Sequence, residues 1–244
     1  MVNFNKIAVI SFVVVALGLT ITGIYFLLNP AEEGTQNQNQ NQKDCEIHSI
    51  PCDGLVGWYN SSSFSPAKGW EDLSGLNNTL TIGGGLPKVE SGKNYVQGAS
   101  DDFILFPKGT LVKDYTLIHV TKYNGPVKGR IFQGMGVNWL SGHHAGAKGT
   151  SYQEGWISRG SGQDVQSFTL SIDQQSTFRY DNSEIETNAE ANTIPAEISI
   201  NYGHSQPSDW AVGEILVYNR HLTEDEIKSI KSYLRDKFNL AIHL

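Results

Sequence analysis

Residues 209–238 read DWAVGEILVYNRHLTEDEIKSIKSYLRDKF. Two periodicities meet in this stretch. Gly213 to Tyr218 (GEILVY) carries Ile215, Val217 and Tyr218 and reads as a strand. Thr223-Glu224-Asp225-Glu226 then has the form of a capping box: the threonine side chain takes the amide at the third helical position, and Glu226 reaches back to the cap amide. Acidic residues fill the first turn, and Lys228, Lys231, Arg235 and Lys237 follow, which matches the helix dipole. Ile227, Ile230, Leu234 and Phe238 make one apolar stripe with Tyr233 at its edge. The stretch predicts a strand leading into one helix that packs on a sheet.

Upstream, the strand period dominates. Tyr115 to Thr121 (YTLIHVT) is rich in β-branched and aromatic residues, and Ser167 to Ile172 (SFTLSI) alternates strictly. Phe168, Leu170 and Ile172 share one face; Ser167, Thr169 and Ser171 share the other. Phe103–Phe106, Arg130–Gln133, Ser176–Tyr180 and Glu197–Tyr202 also read as strands, separated by Gly, Asn, Asp, Ser and Pro clusters. Many short strands without intervening helices predict an all-β sandwich or barrel with one short C-terminal α-helix. Residues 45–244 are enough chain for one sizeable core. The net charge of −7 argues against nucleic acid as a partner.

The N-terminus is of another kind. Residues 7–28 (IAVISFVVVALGLTITGIYFLL) carry no charge and are long enough, as a transmembrane helix, to cross a ~30 Å hydrocarbon core. The length favours an uncleaved signal anchor over a cleaved signal peptide. Lys6 before the run, with Glu32 and Glu33 after it, places residues 1–6 in the cytoplasm by the positive-inside rule. The expectation is a single-pass type II membrane protein, membrane-bound through residues 7–28, with its C-terminal domain extracytoplasmic. Residues 29–44 contain the polar repeat GTQNQNQNQK (34–43) and read as a disordered Asn/Gln-rich linker. Cys45 and Cys52 are the two cysteines of the chain, and in an oxidising compartment they form a disulfide; the alternative is a metal site with His48 as a third ligand.

The same residues carry a family resemblance. Asp209–Phe238 resembles the end of concanavalin A-like lectin/glucanase domains of the laminin-G-like kind. There, a last strand of E-I-L-V-Y-N-R type leads into an L-T-x-x-E helix. GLVGWYNSSSF (Gly54–Phe64) and WEDLSGLNNTLT (Trp70–Thr81) resemble the opening of those domains. Gly129–Ser158 is similar to a subgroup with R-I-F-Q-G, N-W-L-x-G and G-W-I motifs. The resemblance covers about residues 54–240. It implies a jelly roll of two antiparallel sheets, and members that bind glycans, bind proteins, hydrolyse polysaccharides or serve as structural modules.

The glucanase E-x-D-x-x-E motif is absent, and Glu184, Glu186 and Glu190 read as a solvated acidic loop. No Gly-x-Ser-x-Gly motif occurs. No catalytic residue is assigned, and the reading is not an enzyme. Asn138, Trp139, His143, His144, Tyr152 and Trp156 fall within 19 residues and are the candidate ligand-binding residues; aromatic faces with planar polar groups suit a sugar, and aromatics also fill cores. Gly142–Gly146 (GHHAG) reads as a loop. Laminin-G-like modules often bind calcium, for which Asp72, Asp101 and Asp102 are the candidates. Asn60 and Asn77 open glycosylation sequons. The leading expectation is non-catalytic glycan recognition or adhesion at a surface. The alternatives are a structural envelope, virion-membrane or surface-layer protein, and, third, a glycan hydrolase or lyase.

Overall fold

The computed structural model describes residues 45–244. The transmembrane helix expected at 7–28, the cytoplasmic residues 1–6 and the linker at 29–44 lie outside the described residues. Among the described residues no helix is long and apolar enough to cross a membrane.

Among the described residues sixteen strands and a C-terminal α-helix follow one another: β1 (Leu55–Asn60), β2 (Phe64–Ser65), β3 (Gly69–Trp70), β4 (Thr81–Gly84), β5 (Val96–Gly98), β6 (Asp102–Leu105), β7 (Thr116–Lys128), β8 (Phe132–Gly134), β9 (Trp139–His144), β10 (Ala147–Gln153), β11 (Trp156–Ser161), β12 (Thr169–Gln174), β13 (Thr177–Tyr180), β14 (Glu186–Thr187), β15 (Ile198–Ile200), β16 (Ser208–Tyr218) and α1 (Glu224–Phe238). Fourteen of the strands build two antiparallel sheets, and β2 and β3 pair with each other as a separate two-stranded sheet. The first has the order β1-β16-β7-β12-β13-β14, with β5 sharing the β1 edge of β16. The second has the order β11-β10-β9-β8-β15-β6-β4. The fold is therefore a β-sandwich with one short C-terminal helix, as the strand pattern predicts.

Strand alternation divides the first sheet between two cores. Leu117, Tyr123, Trp210, Val212, Ile215 and Val217 point inward and meet Ile104, Phe132, Trp139, Ile198 and Ile200 of the second sheet. Trp70, Trp139 and Trp210 are fully buried here. By transferred area each is worth on the order of 4–6 kcal/mol. Ile118, Val120, Leu170, Ile172 and Leu216 point the other way and pack against Ile227, Ile230 and Leu234 of α1. Both faces of the first sheet are thus covered. The apolar side of the alternating SFTLSI segment lies under the helix, and Thr169 and Ser171 of its polar side lie inside the sandwich, with Ser167 exposed.

α1 begins as the sequence requires. Thr223 Oγ1 accepts the Glu226 amide at 3.4 Å, and Glu226 Oε2 accepts the Thr223 amide at 2.8 Å. Arg220 forks onto Glu226 at 2.6 and 2.9 Å and holds that carboxyl near 2. Asn239 stops the helix in the left-handed conformation, φ 51°. Glu214, on β16, is the one charge carried deep into this interface. Its Oε1 accepts Trp58 Nε1 at 2.6 Å and the Tyr233 hydroxyl at 2.9 Å, and Lys237 Nζ sits 2.6 Å from Oε2. A bulge between Val212 and Glu214 sets this register. Gly213 lies inside it, where a Cβ would come within 2.5 Å of the Phe238 ring.

Two local expectations change. Gly142, His143 and His144 end strand β9 rather than forming a loop, and only Ala145-Gly146 makes the turn, both at positive φ. The segment is held as a strand because its backbone pairs with β10. The acidic segment 184–190 stays exposed but contributes strand β14, and Glu186 accepts the Ser158 hydroxyl at 2.7 Å.

Candidate functional site

Residues directly opposite in adjacent strands share a face. In the second sheet one such row runs Ser199, Gln133, Leu140, Tyr152, Trp156. Their chain neighbours Phe132 and Trp139 belong to the inter-sheet core, so this row lies on the outer face. Tyr152 and Trp156 are half-buried, their ring centroids 5.1 Å apart in a T-shaped contact. The half-buried His144 ring lies 5.8 Å from Trp156, and the exposed Arg159 guanidinium sits 4.8 Å over the indole. Burial, with Arg130 beside it, lowers the proton affinity of His144 and favours a neutral ring.

A hydrogen-bonding cluster adjoins these rings. Arg130 Nε donates to Gln206 Oε1 at 2.6 Å, and its Nη1 donates to Asn138 Oδ1 at 2.8 Å. Glu154 Oε1 accepts the Asn138 amide at 2.7 Å. In the same row Gln133 is fully buried, and neither end of its amide has a protein partner.

Of the six candidate residues, the structure therefore gathers Asn138, His144, Tyr152 and Trp156. Trp139 and His143 point the other way and are fully buried. Arg130, Arg159 and Gln206 join the site without having been singled out. They approach through strand pairing and a loop, so spacing along the chain carries no signal for them. The R-I-F-Q-G motif contained Arg130.

Trp139 and His143 belong instead to a polar layer between the sheets. Asp173 accepts the Tyr115 hydroxyl at 2.7 Å, Gln153 Nε2 at 2.9 Å and the Ser151 hydroxyl at 3.1 Å, with Ser141 as a further donor. Trp139 Nε1 donates to the Tyr115 hydroxyl at 3.3 Å. His119 Nε2 lies 3.1 Å from Ser141 Oγ, His119 Nδ1 lies 3.1 Å from Thr121 Oγ1, and Thr121 Oγ1 lies 3.2 Å from His143 Nδ1. Burial pushes the Asp173 carboxyl up to about 7, against its donors, and drives both imidazoles down, His143 to about 3. The layer is sealed from solvent, so it organises the core rather than a surface site.

The remaining candidates are dispersed. Asp72 spends its carboxylate on the Trp58, Ser74 and Asn78 amides and the Ser74 hydroxyl, at 2.8–3.0 Å, as a turn cap. Asp102 is buried and accepts the Ala99 amide at 2.8 Å, while Asp101 is exposed. Among the described residues no group of three or more His, Cys, Asp or Glu side chains is placed to hold a metal ion. Cys45 is buried and Cys52 half-buried in the same apolar cluster as Trp58 and Tyr218, and His48 packs on Trp58 and Tyr233. Asn60 is buried and caps the turn at Ser61–Ser63, whereas Asn77 is exposed.

No family model and no curated protein matches the chain. Solved structures do. Trypanosoma rangeli sialidase in complex with the inhibitor DANA superposes with a TM-score of 0.60 at 14% identity, over 86% of this chain and 39% of the sialidase. The binding domain of botulinum neurotoxin serotype D gives 0.54 at 11% identity, over 75% of this chain and 52% of that one. The binding domain of botulinum neurotoxin DC in complex with SialylT also gives 0.54, at 10% identity and the same coverage. This chain thus spans well under two thirds of each of these structures. At such identities the likeness is one of fold, that of a two-sheet antiparallel β-sandwich.

Proposed function

We propose that the domain is a non-catalytic glycan-recognition module, displayed outside the cytosol by the N-terminal segment. The observation that carries this reading is the half-exposed Trp156 ring. It is flanked by Tyr152, His144 and Arg159, and the Arg130–Asn138–Gln206 cluster adjoins it. Sugar rings offer an apolar C–H face and a rim of hydroxyls. An indole takes the face, and planar amide or guanidinium groups take the rim. The fold shared with a sialidase and with a binding domain solved in complex with SialylT supports a saccharide as ligand.

Trp156→Ala should weaken binding to any glycan recognised on an array at least tenfold, the loss expected from one well-placed aromatic anchor. The melting temperature should move little, because the ring is half-exposed. Undiminished binding by the variant, or no binding by the wild type on a broad array, sinks the reading.

For display, we infer the type II topology with Cys45 joined to Cys52. External protease added to sealed vesicles should digest the domain, and non-reducing digestion should recover the two cysteines in one linked peptide. Protection of the domain, or both thiols alkylated without reductant, would overturn this part.

A further inference from the structure

We infer a second ligand site, remote in composition from the Trp156 face, that takes a small sugar bearing one carboxylate. It is a cleft of about 670 Å³ at the C-terminal end of α1, walled by Lys122, Lys148, Phe168, Tyr180, Phe238 and the segment 239–242. That volume accommodates a monosaccharide with room for water.

Lys122 is the informative side chain. It projects from the helix side of β7, its amine 5.0 Å from the Phe168 ring and 5.1 Å from the Tyr95 ring. Among the described residues it has no carboxylate within ion-pair reach and no hydrogen-bond acceptor. The neighbouring lysines differ: Lys148 is 3.1 Å from Asp181, and Lys237 is 2.6 Å from Glu214. A partly desolvated ammonium without a counter-ion, at the wall of a cleft, is stabilised by any anion that enters.

Three features narrow the anion. The aromatic rings of Phe168 and Phe238, 5.6 Å apart, offer an apolar floor for a sugar ring. The carboxylates of Asp164 and Asp181 line the same cleft and disfavour a dianion such as phosphate. Of the two lysines that line the cleft Lys122 is the one without a carboxylate partner, which matches one carboxylate, and Lys93, over the same Tyr95 ring at 6.0 Å, adds to the positive field there. The wall is also fixed in place: Asn182 Nδ2 donates to the Ala241 carbonyl at 3.0 Å, and Asn182 Oδ1 accepts the His243 amide at 2.6 Å. The cleft is thus formed before any ligand arrives.

The test titrates the full chain with glucuronate and with glucose, followed by saturation-transfer NMR. Glucuronate should bind at millimolar concentration and glucose about tenfold more weakly. Lys122→Gln should erase the difference, while Trp156→Ala leaves it intact, which separates this site from the glycan-binding face. Thermal melts of both variants confirm that they remain folded. Equal binding of the two sugars overturns the proposal, as does silence of glucuronate up to about 50 mM. So does a preference that survives Lys122→Gln and disappears in Trp156→Ala.

Discussion

Lys237→Met should destabilise the domain by about 3–5 kcal/mol, the usual consequence of stripping a buried charge of its partner. The side chain of Glu214 is completely buried, and Lys237 is the group facing its Oε2, 2.6 Å away. Trp58 and Tyr233 both bond the other oxygen and cannot replace it. Methionine keeps an unbranched apolar stem, and the Lys237 Nζ bond to the Tyr233 hydroxyl at 2.8 Å that the substitution removes is lost equally in the double variant below. The double variant Glu214→Gln with Lys237→Met should recover most of the loss, since a neutral amide needs no counter-ion. Denaturant unfolding of the three proteins reads both results. A single-variant loss below about 1 kcal/mol would mean that the pair behaves like a solvated surface bridge.

The second large effect is a dependence on pH that comes from inside the sandwich. The Asp173 carboxyl titrates near 7 when folded and near 3.8 when exposed by unfolding. Its neutral form therefore favours the folded state fully below 3.8. That advantage drains away as pH rises to 7 and does not change further above it. Measured against Asp173→Asn, which cannot ionise, the wild type should lose about 4 kcal/mol of relative stability between pH 4 and pH 7, at about 1.4 kcal/mol per unit. His119 and His143 act in the opposite sense. Both are held neutral by burial, so below 6.5 the unfolded chain gains protons that the folded one refuses, and acid destabilises. The wild type should thus be most stable near neutrality, with a shallower acid limb than Asp173→Asn. Parallel unfolding curves for the two proteins across this range would show that Asp173 stays ionised throughout, and would refute the assignment.

The parts legible in the sequence are those fixed by local chemistry. The capping box, the charge gradient and the apolar stripe locate α1 to the residue because each acts within one or two turns. Strand composition locates β7, β12 and β16 for the same reason. Partnership was not legible. The alternation in residues 167–172 marks an apolar and a polar side, but not that the apolar side packs under α1 while Thr169 and Ser171 are buried against the second sheet. Gly142-His143-His144 has the composition of a turn. It is a strand because Gly142, at φ 90°, lets the backbone pass close to His119, where a Cβ would come within 2.4 Å of the imidazole. The candidate site divides along the same line. An aromatic cluster in residues 138–156 is visible from spacing, but its split into an outer and an inner set follows the pleat. Arg130, Arg159 and Gln206 reach it through pairing and a loop that no local pattern encodes.

Strand β16 also has a bearing on how the molecule comes into being. It closes the first sheet against β1, and the Trp58–Glu214 contact it brings joins residues 156 positions apart. Until β16 is made, β1, β5 and β7 all wait with bare edges, and the surface later covered by α1 stays open to water. Closing so long a loop is slow in entropy terms, and unpaired strand edges invite neighbouring chains. The first sheet can therefore be completed only once β16 has been made. The span between emergence of β1 and arrival of β16 is its most vulnerable interval.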